Sequence, residues 1–161
     1  MKIRNTTPTD LRFLLHWVTD KKSCKLWAGP YVHFPFTLET LMQDIGYTED
    51  NTYSLVTEMD DLIGIGQILE KGNTLHLARI IIAPEKRKKG FGHILCRHLI
   101  QYGIRKFGNK DFSLNVYKSN KVAIKVYTNL GFTPVSRTDE FKSKDDSVYM
   151  LLRSQALNST L

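Results

Sequence analysis

The sequence predicts a single α/β (α+β) domain, built as a mixed central sheet in the element order βααβββαβαββ with helices on both faces. Three observations lead there. Segments with β-type runs are interleaved with segments whose apolar residues recur at helical spacing, which calls for a sheet covered by helices. In the middle of the chain three β-type runs follow one another, separated only by Met59-Asp60-Asp61 and Lys71-Gly72-Asn73, so they form an antiparallel meander. The chain has 161 residues, 42% hydrophobic and 24% charged, which suits one ordered domain with a proper core.

Taken in order, residues 2–6 read as a short strand. Thr7 caps a helix with Pro8 at its first position, and Leu11, Leu14, Leu15 and Val18 keep helical spacing to about Asp20. Lys21 to Phe36 reads as irregular and aromatic, holding Trp27, Gly29-Pro30, Tyr31, His33, Phe34-Pro35 and Phe36. Such a segment either packs on the core or lines a pocket. Thr37 caps a second helix with Leu38, Leu41, Met42 and Ile45 on one face, and Gly46 ends it. The meander follows as Thr52 to Glu58, Leu62 to Glu70 and Thr74 to Ala83. Gly64-Ile65-Gly66 lies inside its middle run. It lacks the third glycine and the following helix of a dinucleotide fingerprint, so a bulge or a close backbone approach accounts for it. A helix then runs from about Gly90 to Lys106, broken by Phe107-Gly108-Asn109-Lys110. Asp111 to Tyr117 is a strand, Ser119-Asn120 starts a helix that stops at Gly131, and Phe132 to Thr138 and Ser147 to Arg153 are two last strands joined by the charged segment Asp139 to Asp146. The domain thus covers residues 1–153, and residues 154–161 read as a frayed tail.

The formal net charge of +7 favours an anionic partner: nucleic acid, an acidic membrane surface or a phosphorylated cofactor. The charges are scattered and no nucleic-acid motif is present, so no nucleic-acid partner is expected. Arg12, His16 and Asp20 interrupt any signal-peptide core, and no run of about 18 apolar residues could span a membrane. A cytoplasmic location is the default expectation. Cys24 and Cys96 stand far apart in neither metal nor redox spacing, Cys96 falls among apolar helical residues, and no metal is assigned.

The stretch Pro84-Glu85-Lys86-Arg87-Lys88-Lys89-Gly90-Phe91-Gly92 organises the chain. A β-type run leads into it and an amphipathic helix leaves it. Gly90 and Gly92 let the backbone turn tightly and approach a ligand, and the helix start offers free N–H groups and the positive end of its dipole. Together with Arg87, Lys88 and Lys89 these make a site for phosphate. In the later helix Asn120, Ala123 and Tyr127 fall on one face, polar at one end, small in the middle and phenolic at the other. A purely core-facing stripe would need neither the asparagine nor the phenol.

These two stretches, with Leu114-Asn115-Val116-Tyr117 and Gly131-Phe132, resemble the acetyl-CoA loop and the second conserved block of the GNAT N-acetyltransferases, in the right order and at the right separation. The likeness is close from Leu75 to Phe132, and Trp27, Gly29-Pro30 and Phe34-Pro35 are similar to a bacterial branch. The resemblance implies a GNAT-like sheet whose strands 4 and 5 splay to admit the pantetheine arm of acetyl-CoA, the co-substrate. The arm would pair with backbone groups of Ile80, Ile81 and Ile82, while Arg87, Lys88, Lys89, Gly90, Phe91, Gly92 and His93 hold the pyrophosphate. Asn120 and Ala123 would contact the coenzyme, Tyr127 would touch it and protonate the departing thiolate, and a backbone N–H near Ile82 would stabilise the oxyanion. The implied reaction is direct attack of a primary amine, of a small molecule or peptide, on the thioester in a ternary complex, and homodimers occur in the family.

The base is less directly implied. Asn115 stands where many relatives carry glutamate and cannot take a proton. His76 occupies a position where some members carry a glutamate or histidine base, and imidazole has an unperturbed pKa of about 6.5; the bland alternative is a surface strand residue. Glu70 and Glu58 are remoter, and water alone could carry the proton away. Rival functions are acetylation of a protein N-terminus or lysine, and a non-catalytic CoA-binding module.

Overall fold

A computed structural model describes residues 1–136 and 146–157. Seven strands form a single sheet: β1 (Lys2–Asn5), β2 (Thr52–Val56), β3 (Leu62–Lys71), β4 (Thr74–Ile82), β5 (Asp111–Tyr117), β6 (Thr133–Pro134) and β7 (Ser147–Leu152), in the order β1-β2-β3-β4-β5-β7-β6. The meander β2-β3-β4 is antiparallel as the short turns require, with Asp60 and Gly72 at φ of 67° and 58° in them. β4 and β5 run parallel, joined by the long helix α5 (Phe91–Phe107). Their register covers only Thr74↔Asp111, Leu75↔Phe112 and His76↔Ser113. Beyond His76 the strands part, β4 staying on β3 to Ile82 and β5 on β7 to Tyr117.

Alternation along the strands gives the sheet two apolar faces. Tyr53, Leu55, Leu75, Leu77, Phe112 and Leu114 face α5, whose Leu95, Cys96, Leu99 and Ile100 are buried against them. The helix α6 (Lys121–Asn129) completes this layer through Ala123, Ile124, Val126 and Tyr127. The opposite face carries Ile65 and Ile81 and is covered by α1 (Pro8–Arg12), α2 (Leu14–Trp17), α3 (Lys21–Ala28) and α4 (Leu38–Asp44).

The aromatic segment differs from its irregular expectation. Asp20 caps α3, its carboxylate accepting from Ser23 N at 2.7 Å while Ser23 Oγ accepts from Asp20 N at 3.4 Å. Cys24 and Ala28, four apart, are then buried with Val32, and Trp27, Phe34 and Phe36 pack on the same cluster. The preceding helix is correspondingly shorter than expected: the turn tightens at Phe13, and Val18 is already extended. Gly64 and Gly66 have their foreseen explanation. They lie beneath α5, and a bulge shifts the β3–β4 register between Ile65 and Gln67. Where a frayed tail was expected, Ser154–Leu157 makes one helical turn, tied by Ser154 N–H to Asp111 Oδ1 at 2.7 Å. Residues 137–145 and 158–161, which hold the end of the expected strand from Phe132, the charged connection and the rest of the tail, lie outside the described residues.

One polar cluster fastens the first strand to the helix layer. Asp10 is buried and accepts from Arg4 Nη1 at 2.6 Å, Arg4 Nη2 at 3.1 Å and Thr7 N at 2.8 Å. Burial alone would raise its pKa, but these donors outweigh it and hold the carboxyl below its ordinary value. A group with a depressed folded pKa stabilises fully above its unfolded value and loses that contribution as pH falls through the folded one. Stability should therefore decline below about pH 4. Asp10→Asn should cost about 2 kcal/mol at pH 7, the partly exposed Arg4 keeping the loss below that of a fully buried pair, and should flatten the acid decline. Urea unfolding of both proteins at pH 7 and pH 3 checks this.

Candidate active site

The opening between β4 and β5 is where the sheet's own backbone groups are left facing outwards. Ala83 N–H bonds Ile63 O at 2.9 Å, so Ala83 points to β3. By alternation Ile81 does too, while Ile80 and Ile82 turn their peptide groups toward the split. Arg87 Nε–H donates to Ile82 O at 3.1 Å, consistent with that direction. Ile81, grouped with its neighbours in the sequence reading, instead gives its backbone to β3 and its side chain to the helix layer. The phase of β4 changes at Arg79, which has a φ of 49°. Before it Leu75 and Leu77 face α5; after it Ile80 and Ile82 do. A bulge thus re-aims the strand beside the split.

The basic loop follows at the strand's end. Pro84–Lys86 makes a short 3₁₀ turn, Lys88 and Gly90 take φ of 62° and 80°, and α5 begins at Phe91 with no side-chain cap. The first intrahelical bond is Ile94 N to Gly90 O at 3.3 Å, which leaves the N–H groups of Phe91, Gly92 and His93 pointing out of the helix start. Left-handed residues spaced by two and a bare helix N-terminus form a concavity of the kind that suits an anion. A Cβ added at Gly90 or Gly92 would meet no atom within 4 Å, so the concavity is open to a ligand. The positive φ of Lys88 was not legible in the sequence.

The Asn120–Ala123–Tyr127 face does turn inward. Asn120 is the cap of α6, its Oδ1 accepting from Ala123 N at 3.2 Å, which leaves its amide N–H₂ as the donor. Ala123 and Tyr127 pack against the α5 core, and the Tyr127 ring meets Phe132 edge-on at 6.1 Å. Burial, with Cys96 beside it, pushes the Tyr127 phenol well above its ordinary pKa, so the hydroxyl stays protonated and can only donate a proton at neutral pH. Cys96 is itself fully buried and pushed up to about 12 by desolvation, an inert thiol.

His76 is not a surface residue. It is 5% exposed, and its Nδ1 lies 2.9 Å from Ser113 Oγ in the last registered pair before the split. Asn115 is exposed on β5 beyond that point. Glu58 pairs with the N-terminal amine at 2.6 Å and Glu70 with Lys110 at 3.0 Å, neither of them on the part of β4 that borders the split. Arg79, within the run from Thr74 to Ala83, sits at the bulge itself.

An opening lined by strand backbone, ending in an anion concavity, fits a ligand that is extended at one end and phosphorylated at the other, as acyl-coenzyme A is. That combination of fold and site defines a coenzyme A-dependent acyltransferase. Residues 14–132 match the family described as Acetyltransferase (GNAT) family, and the chain belongs to it. It is an acetyl-CoA-dependent N-acetyltransferase. Among its relatives is the spermidine N(1)-acetyltransferase of Vibrio cholerae serotype O1, 26% identical over 158 residues, which covers 92% of this chain and 91% of the relative. Two solved structures of the Vibrio cholerae spermidine N-acetyltransferase share the fold. A dodecameric one has a TM-score of 0.70 at 21% identity, covering 97% of this chain and 95% of that one. One in complex with CoA and spermine has a TM-score of 0.69 at 22% identity, covering 93% and 92%.

Proposed function

We propose that this chain acetylates a primary amine of a small molecule or peptide by direct transfer in a ternary complex, in the split between β4 and β5. The observation that carries the reading is that Ile80 and Ile82 present their backbone groups to that split, directly before the open helix start at Gly90. Acetyl-CoA supplies an activated thioester, so the reaction needs no metal. Ile80 and Ile82 would hold the pantetheine arm as an added strand, and Arg87 to His93 the pyrophosphate. The carbonyl oxygen gains charge as the amine attacks, and the Ile82 N–H is the donor assigned to it. Asn120 and Ala123 would border the arm. Tyr127 is the acid for the departing sulfur, since a phenol kept protonated by burial is poised to give its proton to a thiolate.

His76, at the vertex of the split, is the base in this proposal. His76→Gln should lower kcat about tenfold while leaving the Kd for acetyl-CoA unchanged, as steady-state rates and calorimetry with CoA would show. A variant that turns over at the wild-type rate would assign the proton to water instead.

No helix among the described residues is long and apolar enough to cross a membrane. The two buried cysteines, both free, suit a reducing compartment, and a cytoplasmic location is part of the proposal. So is self-association, supported by the dodecameric relative, with a homodimer as the smallest unit. The function is tested by thiol release from acetyl-CoA against polyamines, aminoglycosides, amino acids and peptides. Turnover with at least one amine is expected; none with any, together with no thermal shift by CoA, contradicts the proposal.

A further inference from the structure

The side of the split away from α5 carries a cation with no ion-pair partner among the described residues. Arg79 leaves the β4 bulge toward Gln67, which is itself tied to Ile45 at the end of α4. Its Nη1 donates to Gln67 Oε1 at 2.6 Å, and Gln67 in turn donates to Ile45 O at 3.2 Å and Thr52 Oγ1 at 3.0 Å. Arg79 Nε is buried with no hydrogen-bond partner. No carboxylate of the described residues lies within ion-pair distance of this guanidinium. Asp44 attracts it, but that carboxylate already accepts from His33 N at 2.9 Å and lies 3.1 Å from its ring nitrogen. A guanidinium withdrawn from water costs several kcal/mol unless an anion compensates it, and among the described residues no carboxylate forms an ion pair with it.

The helix over the same side is cationic as well. α3 reads Lys21-Lys22-Ser23-Cys24-Lys25-Leu26-Trp27-Ala28, with no acidic residue. It packs on β4, and Lys25 reaches across to β5, its Nζ 5.8 Å from the centre of the Tyr117 ring at the splayed end of that strand. Trp27 Nε1, in the same helix, is a second buried donor without an acceptor. Arg79 and the lysines of α3 therefore lie on the side of β4 opposite the one that carries Ile80 and Ile82, the side left to an acceptor when the coenzyme takes the split. A polycationic amine would be repelled there; an acceptor carrying its own anion would be held.

We propose that the acceptor bears a carboxylate close to its amine, as an α-amino acid or a peptide with a free C-terminus does, and that Arg79 binds this carboxylate with Lys25 at the rim. Arg79 is then a specificity residue. Its planar fork would take a carboxylate through Nε–H and the free edge while Gln67 fixes the other side. The inference rests on the acetyltransferase reading above and narrows its acceptor.

The test is thiol release from acetyl-CoA with the twenty amino acids and their carboxamides, with di- and tripeptides and their C-terminal amides, and with putrescine and spermidine. The wild type should favour a free acid over its own amide by about 50-fold in kcat/KM, carried by KM, which is the discrimination expected of a charged hydrogen-bonded contact. Arg79→Gln should erase that preference, bringing kcat/KM for the free acid down to that of its amide. The wild-type comparison of acid with amide stands even where the variant folds poorly. Equal or better rates with amides or polyamines overturn the inference, as does a preference that survives Arg79→Gln. Thiol release only with amines that lack a carboxylate sinks this inference alone, whereas no release with any amine and no thermal shift by CoA sinks the underlying reading.

Discussion

Tyr127→Phe is expected to lower kcat about 100-fold while acetyl-CoA binds within about twofold of wild type, since the change deletes an acid and little else. The ring that packs on the α5 core and meets Phe132 at 6.1 Å is kept, so the fold should be unaffected. The loss should appear in kcat and kcat/KM alike, the pattern of an interaction made only as the thiolate leaves. The wild-type rate should also show no fall from pH 7 to about pH 10, because burial raises the phenol above its ordinary value and postpones its ionisation. Steady-state rates and isothermal titration with CoA measure both halves. A variant that turns over at the wild-type rate would make Tyr127 a core aromatic, the bland reading of its helix face.

Gly64→Ala should be the most damaging small substitution in the sheet, costing roughly 3 kcal/mol or more in stability. A Cβ there would lie 2.6 Å from Ile81 O and 2.6 Å from Ile82 Cδ1, with Leu95 Cδ2 at 3.3 Å. The first of these is backbone in the β3–β4 ladder and can move only if the Ile65↔Ile81 pair shifts. Gly66→Ala offers the control. Its Cβ meets Leu99 Cδ1 at 2.8 Å, the end of a side chain that can change rotamer, so roughly half the cost is expected. Denaturant midpoints at constant m-value compare the two. Because the strained pair in Gly64→Ala borders the split, its residual folded fraction should also bind acetyl-CoA more weakly.

Much of this was legible in the sequence because it rests on local chemistry. The meander follows from two short turns, and the open helix start from glycines placed between a strand and a helix. Buried Cys96 and the inward Tyr127 follow from helical spacing. What was not legible depends on contacts distant along the chain. α3 was missed because its aromatic content masked a capping box of Asp20 with Ser23, a signal present in the residues. The burial of His76 comes from Ser113, 37 residues away. Ile81 could not be separated from Ile80 and Ile82 without the bulge at Arg79, since a shift of one residue exchanges every backbone direction that follows. Nothing in the residues around Arg79 signals that its Nε is buried without an acceptor. Asn120 was read both as part of the helix start and as a ligand contact, and its Oδ1 caps α6.

The central claim is that acetyl-CoA lies in the β4–β5 split with its phosphates on the start of α5. Amide hydrogen exchange with and without acetyl-CoA, resolved by residue and needing no acceptor, tests it most directly. The account predicts new protection at Ile80 and Ile82, whose N–H groups face the split, and at Phe91, Gly92 and His93, with Ile81 and Ala83 unchanged because β3 already holds them. Protection confined elsewhere, for example to the cavity of about 480 Å³ lined by Asp50, Asn51, Glu70 and Lys106 at the far end of α5, would contradict it.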